Sequence, residues 1–572
     1  MIQFVSRSTQ LRLRENQLFL ALSIIVGILS GLAAVLFALS IERVSRMLFG
    51  LDPSAVRLFA IPAGVSLVTG VLLSRWFKDV RGSGIPQTEA AYHLRNGVIP
   101  GKVAIGKFIT GVLCVGSGHS LGREGPSVQI GGAIASTIGR WMALSPEQVK
   151  ALVPIGAAGA LSAAFNTPVA AVLFALEEII GNMNATVIGS TVVASVASVV
   201  VERSILGNEP LFHVPEYQLV HPGELIVYAA LGVIGGVVSV AFCKALLATR
   251  AAFKALPART QILQPAIGGV AIGALLLVRP EVMGVGYEYV DRALNGTMAL
   301  QALLILGACK MLATIVSYSS GNAGGIFAPT LFIGAMAGGA VGALVNALAP
   351  FPVASPGAYA LVGMGTLFAG IIRAPMTSVF MVFEITQDYQ ILVPLMVANL
   401  LSLVISRRFQ PMPVYHALLQ QDGVHLPAAE LPGADAWTVR DLMTPDPLLL
   451  PGSLPISSAA DSLAAAGLDR ALVGERKRLI GTVGLAEAKA ACEAGFGSAS
   501  VDSIARPTRA HVHPDHRMDV MLERWRAADG LLPVLARDDV SRVEGVISLG
   551  DITRRLGAVT AVARAAADVG PE

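Results

Sequence analysis

Apolar runs of roughly membrane-spanning length, about 20 residues, recur along the chain from Gln17 to Ile405 and then stop. They are Gln17–Ile41, Phe59–Trp76, Val103–Val115, Val149–Ile180, Thr186–Val201, Glu224–Leu247, Ile262–Leu277, Leu303–Val316, Leu361–Ile385 and Ile391–Ile405. The pattern predicts a block of membrane helices. Three stretches break it: Gly82-Ser-Gly-Ile-Pro86, Ser117-Gly-His-Ser-Leu-Gly-Arg-Glu-Gly-Pro126 and Ser320-Gly-Asn-Ala-Gly-Gly-Ile-Phe-Ala-Pro329. Gly and Pro free the backbone from the helical ladder. Backbone groups freed at membrane depth persist only where they line a cavity or are buried in protein. The second break also carries Glu124, and an acid inside a membrane is costly unless it has a function. The pattern therefore points to an anion or proton site centred on Glu124.

The second and third breaks align, with Ser, Gly, Gly and Pro in register. Downstream of them, Thr167-Pro-Val-Ala-Ala-Val-Leu-Phe-Ala-Leu-Glu177 aligns with Ala374-Pro-Met-Thr-Ser-Val-Phe-Met-Val-Phe-Glu384, with Pro, Val and Glu in register. Two matches in the same order indicate an internal repeat over about residues 17–205 and 222–410. Repeats of interrupted helices mark a transport site near the bilayer midplane. Small-residue runs such as Ala335–Ala343 suit close helix packing in lipid.

Composition agrees with the pattern. Of the 572 residues, 54% are hydrophobic and 14% charged, and the mean hydropathy is +0.65; soluble proteins carry about 25% charged residues. Arg7, Arg12 and Arg14 precede the first run, which lacks a cleavage-site pattern and reads as a retained helix. Those arginines, with Arg407 and Arg408 after the last run, place both termini in the cytoplasm and the number of crossings as even. The scattered Cys114, Cys243, Cys309 and Cys492 read as small buried residues. A net charge of +3 without a basic stripe or zinc-finger spacing gives no reason to expect a nucleic-acid partner. Gly118-His-Ser-Leu-Gly122 fits the G-x-S-x-G pattern of a hydrolase, but that chemistry needs a strand–turn–helix and partnered Asp and His, so no catalytic residues and no metal ligands are expected.

The breaks leave helix N-terminal amides unpaired, and a helix N-terminus carries roughly half a positive charge. Several such ends aimed at one point bind an anion without a full cation. Gly82-Ser-Gly-Ile-Pro86, Gly122-Arg-Glu-Gly-Pro126, Gly324-Gly-Ile-Phe-Ala-Pro329 and Tyr415 together resemble the signature set of the CLC family of chloride channels and chloride/proton exchangers. The resemblance covers nearly the whole apolar block. It implies an all-α polytopic membrane protein with an inverted repeat of broken helices, acting as a homodimer in the lipid bilayer of an inner or plasma membrane.

By that resemblance, Ser83 and Tyr415 donate their hydroxyls to a central anion, and the amides of Ile326 and Phe327 complete the site. Glu124 is the gate, competing with chloride when ionised and leaving when protonated. Glu178 matches a position that is acidic in typical exchangers and commonly apolar in channels, so it is expected to relay protons from the cytoplasm. Serine at position 83 is usual for chloride-preferring members. The function implied is chloride/proton antiport with no required cofactor. A passive chloride channel of the same fold is the alternative; a membrane-anchored sensor or intramembrane hydrolase would need the breaks to be incidental.

The polar tail is itself duplicated. Val439-Arg-Asp-Leu-Met-Thr-Pro445 and Val501-Asp-Ser-Ile-Ala-Arg-Pro507 open its two units, which resemble an α/β pair of CBS domains. The expected layout is a cytoplasmic segment 1–16, a transport domain 17–410, a linker 411–435 and CBS units 436–492 and 498–557. Gly545-Val-Ile-Ser-Leu-Gly-Asp551 resembles the nucleotide segment of such domains, with Ser548 for phosphate and Asp551 for ribose of ATP, ADP or AMP. The first unit has Gly484 and Glu487 there instead, and a purely structural dimerisation module is the other reading of the pair.

Overall fold

The computed structural model describes residues 2–551 except 182–184, 209–210, 213, 216, 218–219, 425, 427–437, 476–477, 509, 517, 526–527, 529 and 549. The side chains of Arg7, Arg12 and Arg14, most of the second half of the expected linker, and residues 552–557 of the second tail unit lie outside the described residues. The chain divides into two compact units, Met1–Leu426 and Pro427–Glu572.

The first unit is helical and built twice. Its first half holds α1 (Ile2–Phe49), α2 (Ala55–Arg75), α3 (Ile85–Leu94), α4 (Gly101–Gly116), α5 (Glu124–Trp141), α6 (Pro146–Phe165), α7 (Pro168–Phe174, continuing as a π turn Ala175–Ile180) and α8 (Ala185–Leu206). The second half repeats that order in α9 (Glu224–Ala255), α10 (Gln264–Val278), α11 (Tyr287–Leu294), α12 (Leu300–Ser319), α13 (Phe327–Leu348), α14 (Pro356–Ile371), α15 (Pro375–Thr386) and α16 (Leu392–Phe409). Among the described residues eight helical segments are long and apolar enough to cross a membrane, while α10, α14 and α15 are apolar but shorter. Leu36, Val233, Leu304 and Leu400 face outward, as lipid-facing side chains must.

Two of the apolar runs are each divided in the structure. Val149–Ile180 breaks at Asn166, with φ 57°, and Leu361–Ile385 breaks at Arg373, with φ 73°. Both breaks stand directly before the Thr-Pro or Ala-Pro that starts the next helix, because the residue before a proline is pushed out of the helical region. The repeat also shows in packing. A Cβ on Gly131 of α5 would meet Gly156 O of α6 at 2.2 Å, and one on Gly334 of α13 would meet Gly363 O of α14 at 2.4 Å. The same backbone-to-backbone approach, which only glycine permits, thus occurs in both halves.

Two further pairs of contacts recur in both halves. The buried ammonium of Lys107 donates to Val80 O and Gly82 O at 2.8 and 2.7 Å, and that of Lys310 donates to Val282 O and Gly284 O at 3.0 and 2.6 Å. Each lysine holds the Gly-x-Gly bend that precedes a short helix, α3 or α11. Glu177 accepts the Met376 and Thr377 amides at the start of α15, at 3.1 and 2.8 Å, and Glu384 accepts the Val169 and Ala170 amides at the start of α7, at 2.9 and 2.7 Å. Each half therefore caps a helix of the other.

The expected linker is not all linker. Its beginning forms α17 (Val414–Gln421), with Val414 and Tyr415 fully buried against the helices of the first unit. Those two residues are hydrophobic contacts that the flanking prolines Pro411 and Pro413 disguise in the sequence.

The second unit carries α18 (Val439–Leu442), β1 (Thr444–Pro445), β2 (Leu449–Leu450), α19 (Ile456–Ala465), β3 (Arg470–Glu475), β4 (Arg478–Gly484), α20 (Leu485–Glu493), α21 (Met518–Trp525), β5 (Leu531–Leu535) and β6 (Val543–Ser548). Its sheets run β2-β3-β4 and β1-β6-β5. The two opening segments are exchanged in space. Val439 and Leu442 join the core of Val512, Met521 and Leu532, and Val501 joins that of Ile456, Val473 and Val483. The first opening segment thus closes the second sheet, and the second closes the first.

Candidate anion and proton site

The three sequence breaks converge. Gly82 bridges to Ala323 and Gly122 to Gly325. Gly122 N–H donates to Gly325 O at 2.7 Å, Gly325 N–H returns to Gly122 O at 2.8 Å, and Gly324 N–H donates to Gly82 O at 3.0 Å. These short extended links bring together the N-termini of α3, α5 and α13, whose first amides have no intrahelical acceptor. The approach is close enough that a Cβ on Gly125 would sit 2.3 Å from Ser83 Oγ.

Ser83 lies on the bend before α3, and Tyr415 on α17 is its neighbour. Both are fully buried, and neither Ser83 Oγ nor Tyr415 Oη has a hydrogen-bond partner among the described residues. An unpaired buried polar group costs about 1–3 kcal/mol. Two such donors beside helix N-termini fit an anionic acceptor. Ile326 and Phe327 open α13 and are buried, and the Phe327 ring stands 5.1, 5.7 and 4.5 Å from those of Phe165, Phe174 and Phe368. Lys107, the ammonium nearest in sequence to the second break, is taken up by backbone carbonyls.

Glu124 is the first residue of α5 and is fully buried. Its Oε1 accepts a hydrogen bond from Tyr287 Oη at 2.5 Å. Its Oε2 folds back so far that a Cβ on Gly122 would lie 2.3 Å from it, and it faces Ala328 N–H of α13 without an aligned bond. The carboxylate therefore rests where two helix N-termini meet. The Arg123 guanidinium stacks over the Tyr287 ring at 5.6 Å. Tyr287 was not among the residues singled out by sequence. The signal for it was Gly284-x-Gly286, which stands before α11 as Gly82-x-Gly84 stands before α3, with the buried lysine a similar distance downstream in each half.

Glu178 sits in the π turn Ala175–Ile180 and is 8% exposed, and its Oε1 has no partner among the described residues. π turns re-aim side chains and recur at functional sites. Here the turn separates two adjacent acids: Glu177 caps α15, while Glu178 faces inward toward Glu89 and Arg373. Tyr415 is within electrostatic reach of both Glu178 and Glu124. His119 of the G-x-S-x-G stretch contacts the hydroxyls of Ser66 and Ser317 at 2.5 and 3.3 Å, whereas Ser120, the serine of that pattern, contacts the hydroxyl of Thr314 at 2.9 Å and not an imidazole.

A model of the voltage gated chloride channel family matches residues 64–407. The chain belongs to that family. Membership makes it a multi-pass membrane protein of a transport family, in keeping with its apolar helices. A CBS domain model matches residues 439–492. A curated relative, the "H(+)/Cl(-) exchange transporter ClcA" of Vibrio campbellii, is 33% identical over 434 residues, covering 73% of this chain and 92% of that protein. The solved structure of a slow cyanobacterial Cl-/H+ antiporter superposes with a TM-score of 0.65 at 27% identity, covering 71% of this chain and 97% of that one. The crystal structure of a eukaryotic CLC transporter shares the fold over 93% of this chain and 97% of that one, with a TM-score of 0.62 at 17% identity.

In the tail, Ser548 and Asp551 form a local cap. Ser548 N–H and Oγ–H donate to Asp551 Oδ2 at 2.9 and 2.6 Å, and Thr444 Oγ1–H donates to Asp551 Oδ1 at 2.9 Å. In the first unit Glu487 is held by Arg470 and Arg506 at 3.3 and 2.8 Å. A ribose at Asp551 would have to displace Thr444.

Proposed function

We propose that the protein exchanges chloride for protons, with Ser83, Tyr415 and the amides of Ile326 and Phe327 holding the central anion, Glu124 as gate and Glu178 as the inner proton acceptor. The observation that carries this is the pair of partnerless buried hydroxyls, Ser83 Oγ and Tyr415 Oη, placed with Tyr415 in reach of an acid on either side. A dipole-built site of this kind binds an anion without the tight hold of a fixed cation. The ionised Glu124 carboxylate takes the outer amides in place of an anion. Protonation removes its charge, weakens its attraction to the helix N-termini and lets chloride take its place. One anion position is thereby tied to one proton. The names of the curated relative and the cyanobacterial structure, both chloride/proton exchangers, support the same reading.

The protein works as a homodimer in an inner or plasma membrane with both termini in the cytoplasm, and Glu178 takes its protons from the cytoplasmic side. The CBS pair is a regulatory module for an adenine nucleotide at Ser548 and Asp551. Reconstitution into liposomes under a chloride gradient tests the main reading: uphill proton movement is expected, and robust chloride flux without it would make the protein a passive channel.

A further inference from the structure

Glu178 is nearly closed to solvent, and the residues described so far give it no route to water. The helix packed on its π turn supplies one. His93 Nε2 of α3 lies 3.1 Å from Ile179 O, which ties α3 to the turn. One helical turn earlier, Glu89 is 2% exposed and within electrostatic reach of Glu178. Glu89 Oε1 is 2.5 Å from His416 Nε2, and Oε2 has no partner among the described residues. His416 follows Tyr415 on α17, and its side chain is 36% exposed against 3% for Glu89. The three groups form a graded series, from a half-open imidazole through a buried carboxylate to the buried acid at the site.

We propose that His416 and Glu89 form the relay that loads Glu178 with protons. This rests on the reading of Glu178 as the inner proton acceptor. Imidazole suits the outer position because it gains and loses a proton between about pH 5 and 8. The ring takes a proton at Nδ1 from hydronium and gives the one on Nε2 to Glu89 Oε1, so a hydronium O–H and the Nε2–H bond break while an Nδ1–H and an Oε1–H bond form, and exchange with water returns the ring to its Nε2–H tautomer. That leaves a neutral ring beside a neutral carboxylic acid. The acid then passes its proton to the Glu178 carboxylate and returns to its ionised form. The charged and titratable groups facing His416 are Glu89 and His93 on α3 and Arg373 between α14 and α15. On α9, Arg250 and Lys254 pair with Asp422 beyond the end of α17.

The test uses the full-length protein in liposomes, with proton and chloride fluxes recorded together while the pH on the His416 side is varied. His416→Gln keeps a hydrogen-bonding side chain but cannot carry a proton; Glu89→Gln keeps the shape of the acid. Both are expected to lose proton flux and its pH dependence while retaining chloride flux, which also reports that the protein is folded. Added imidazole is expected to restore proton flux to His416→Ala. Wild-type proton flux and pH profile in both glutamine variants would overturn the relay, as would equal loss of both fluxes in His416→Gln. Failure of the wild type to move protons uphill would instead count against exchange itself, before any variant is read.

Discussion

Tyr287→Phe removes one hydroxyl and keeps the ring, whose centroid stands 6.5 Å from that of Phe165 and 5.3 Å from that of Phe212. What is lost is a buried hydrogen bond of 2.5 Å to the Glu124 carboxylate. Hydrogen bonds to charged groups contribute about 1.5–3 kcal/mol. At about 1.4 kcal/mol per factor of ten, the balance between a seated and a displaced Glu124 moves about 10- to 150-fold toward displacement. Under the proposed competition of carboxylate and anion for the same amides, chloride should bind more tightly by up to that factor, and chloride turnover should rise. Calorimetric titration of chloride into purified wild type and Tyr287→Phe reads the affinity, and liposome flux reads the rate. In a Glu124→Gln background the same substitution should do much less, since the charged acceptor is gone. A change under about twofold in wild type, or an equal change in both backgrounds, would refute the latch, since coupled groups must give a non-additive cycle.

Glu178→Val should abolish proton movement and spare chloride, as judged by paired flux measurements. Glu177→Ala, one residue earlier, should leave coupling intact and lower stability by about 1–2 kcal/mol, the scale of a lost helix cap; a thermal melt in detergent distinguishes the neighbours. Asp551→Ala should remove any rise in melting temperature that ATP gives the full-length protein, since ligand binding to the folded state alone raises it. Burial holds the His511 and His516 imidazoles below the ordinary value of 6.5. Their neutral forms are favoured on folding, so the C-terminal unit has its full stability above about pH 6.5 and loses part of it as the pH falls through that value; denaturant melts from pH 8 to pH 5 check the slope.

The breaks at Ser83, Glu124 and Ile326–Phe327 were legible because Gly and Pro have local conformational consequences that survive without tertiary context. Their convergence was not, since it depends on single bridges such as Gly122 to Gly325 between segments far apart in the chain. Glu177 and Glu178 look alike in sequence and diverge only through the π turn. Tyr287 lay hidden because an aromatic residue opening a short amphipathic helix resembles ordinary core. Tyr415 was found through its family motif, yet the helix carrying it read as linker. The exchange of Val439–Pro445 and Val501–Ser503 between the tail sheets could not be read from order along the chain, because both segments would suit either core.

The reciprocal caps of Glu177 and Glu384 have a consequence for biosynthesis. The amides of Val169 and Ala170 wait for a carboxylate 215 and 214 residues further along. At a synthesis rate of about 5–20 residues per second, α7 exists for about 10–40 s in the membrane with its first turn unpaired. Over that interval the nascent first half needs water, lipid headgroups or a chaperone at that turn, and the last step of assembly is the mutual locking of two halves that were inserted one after the other.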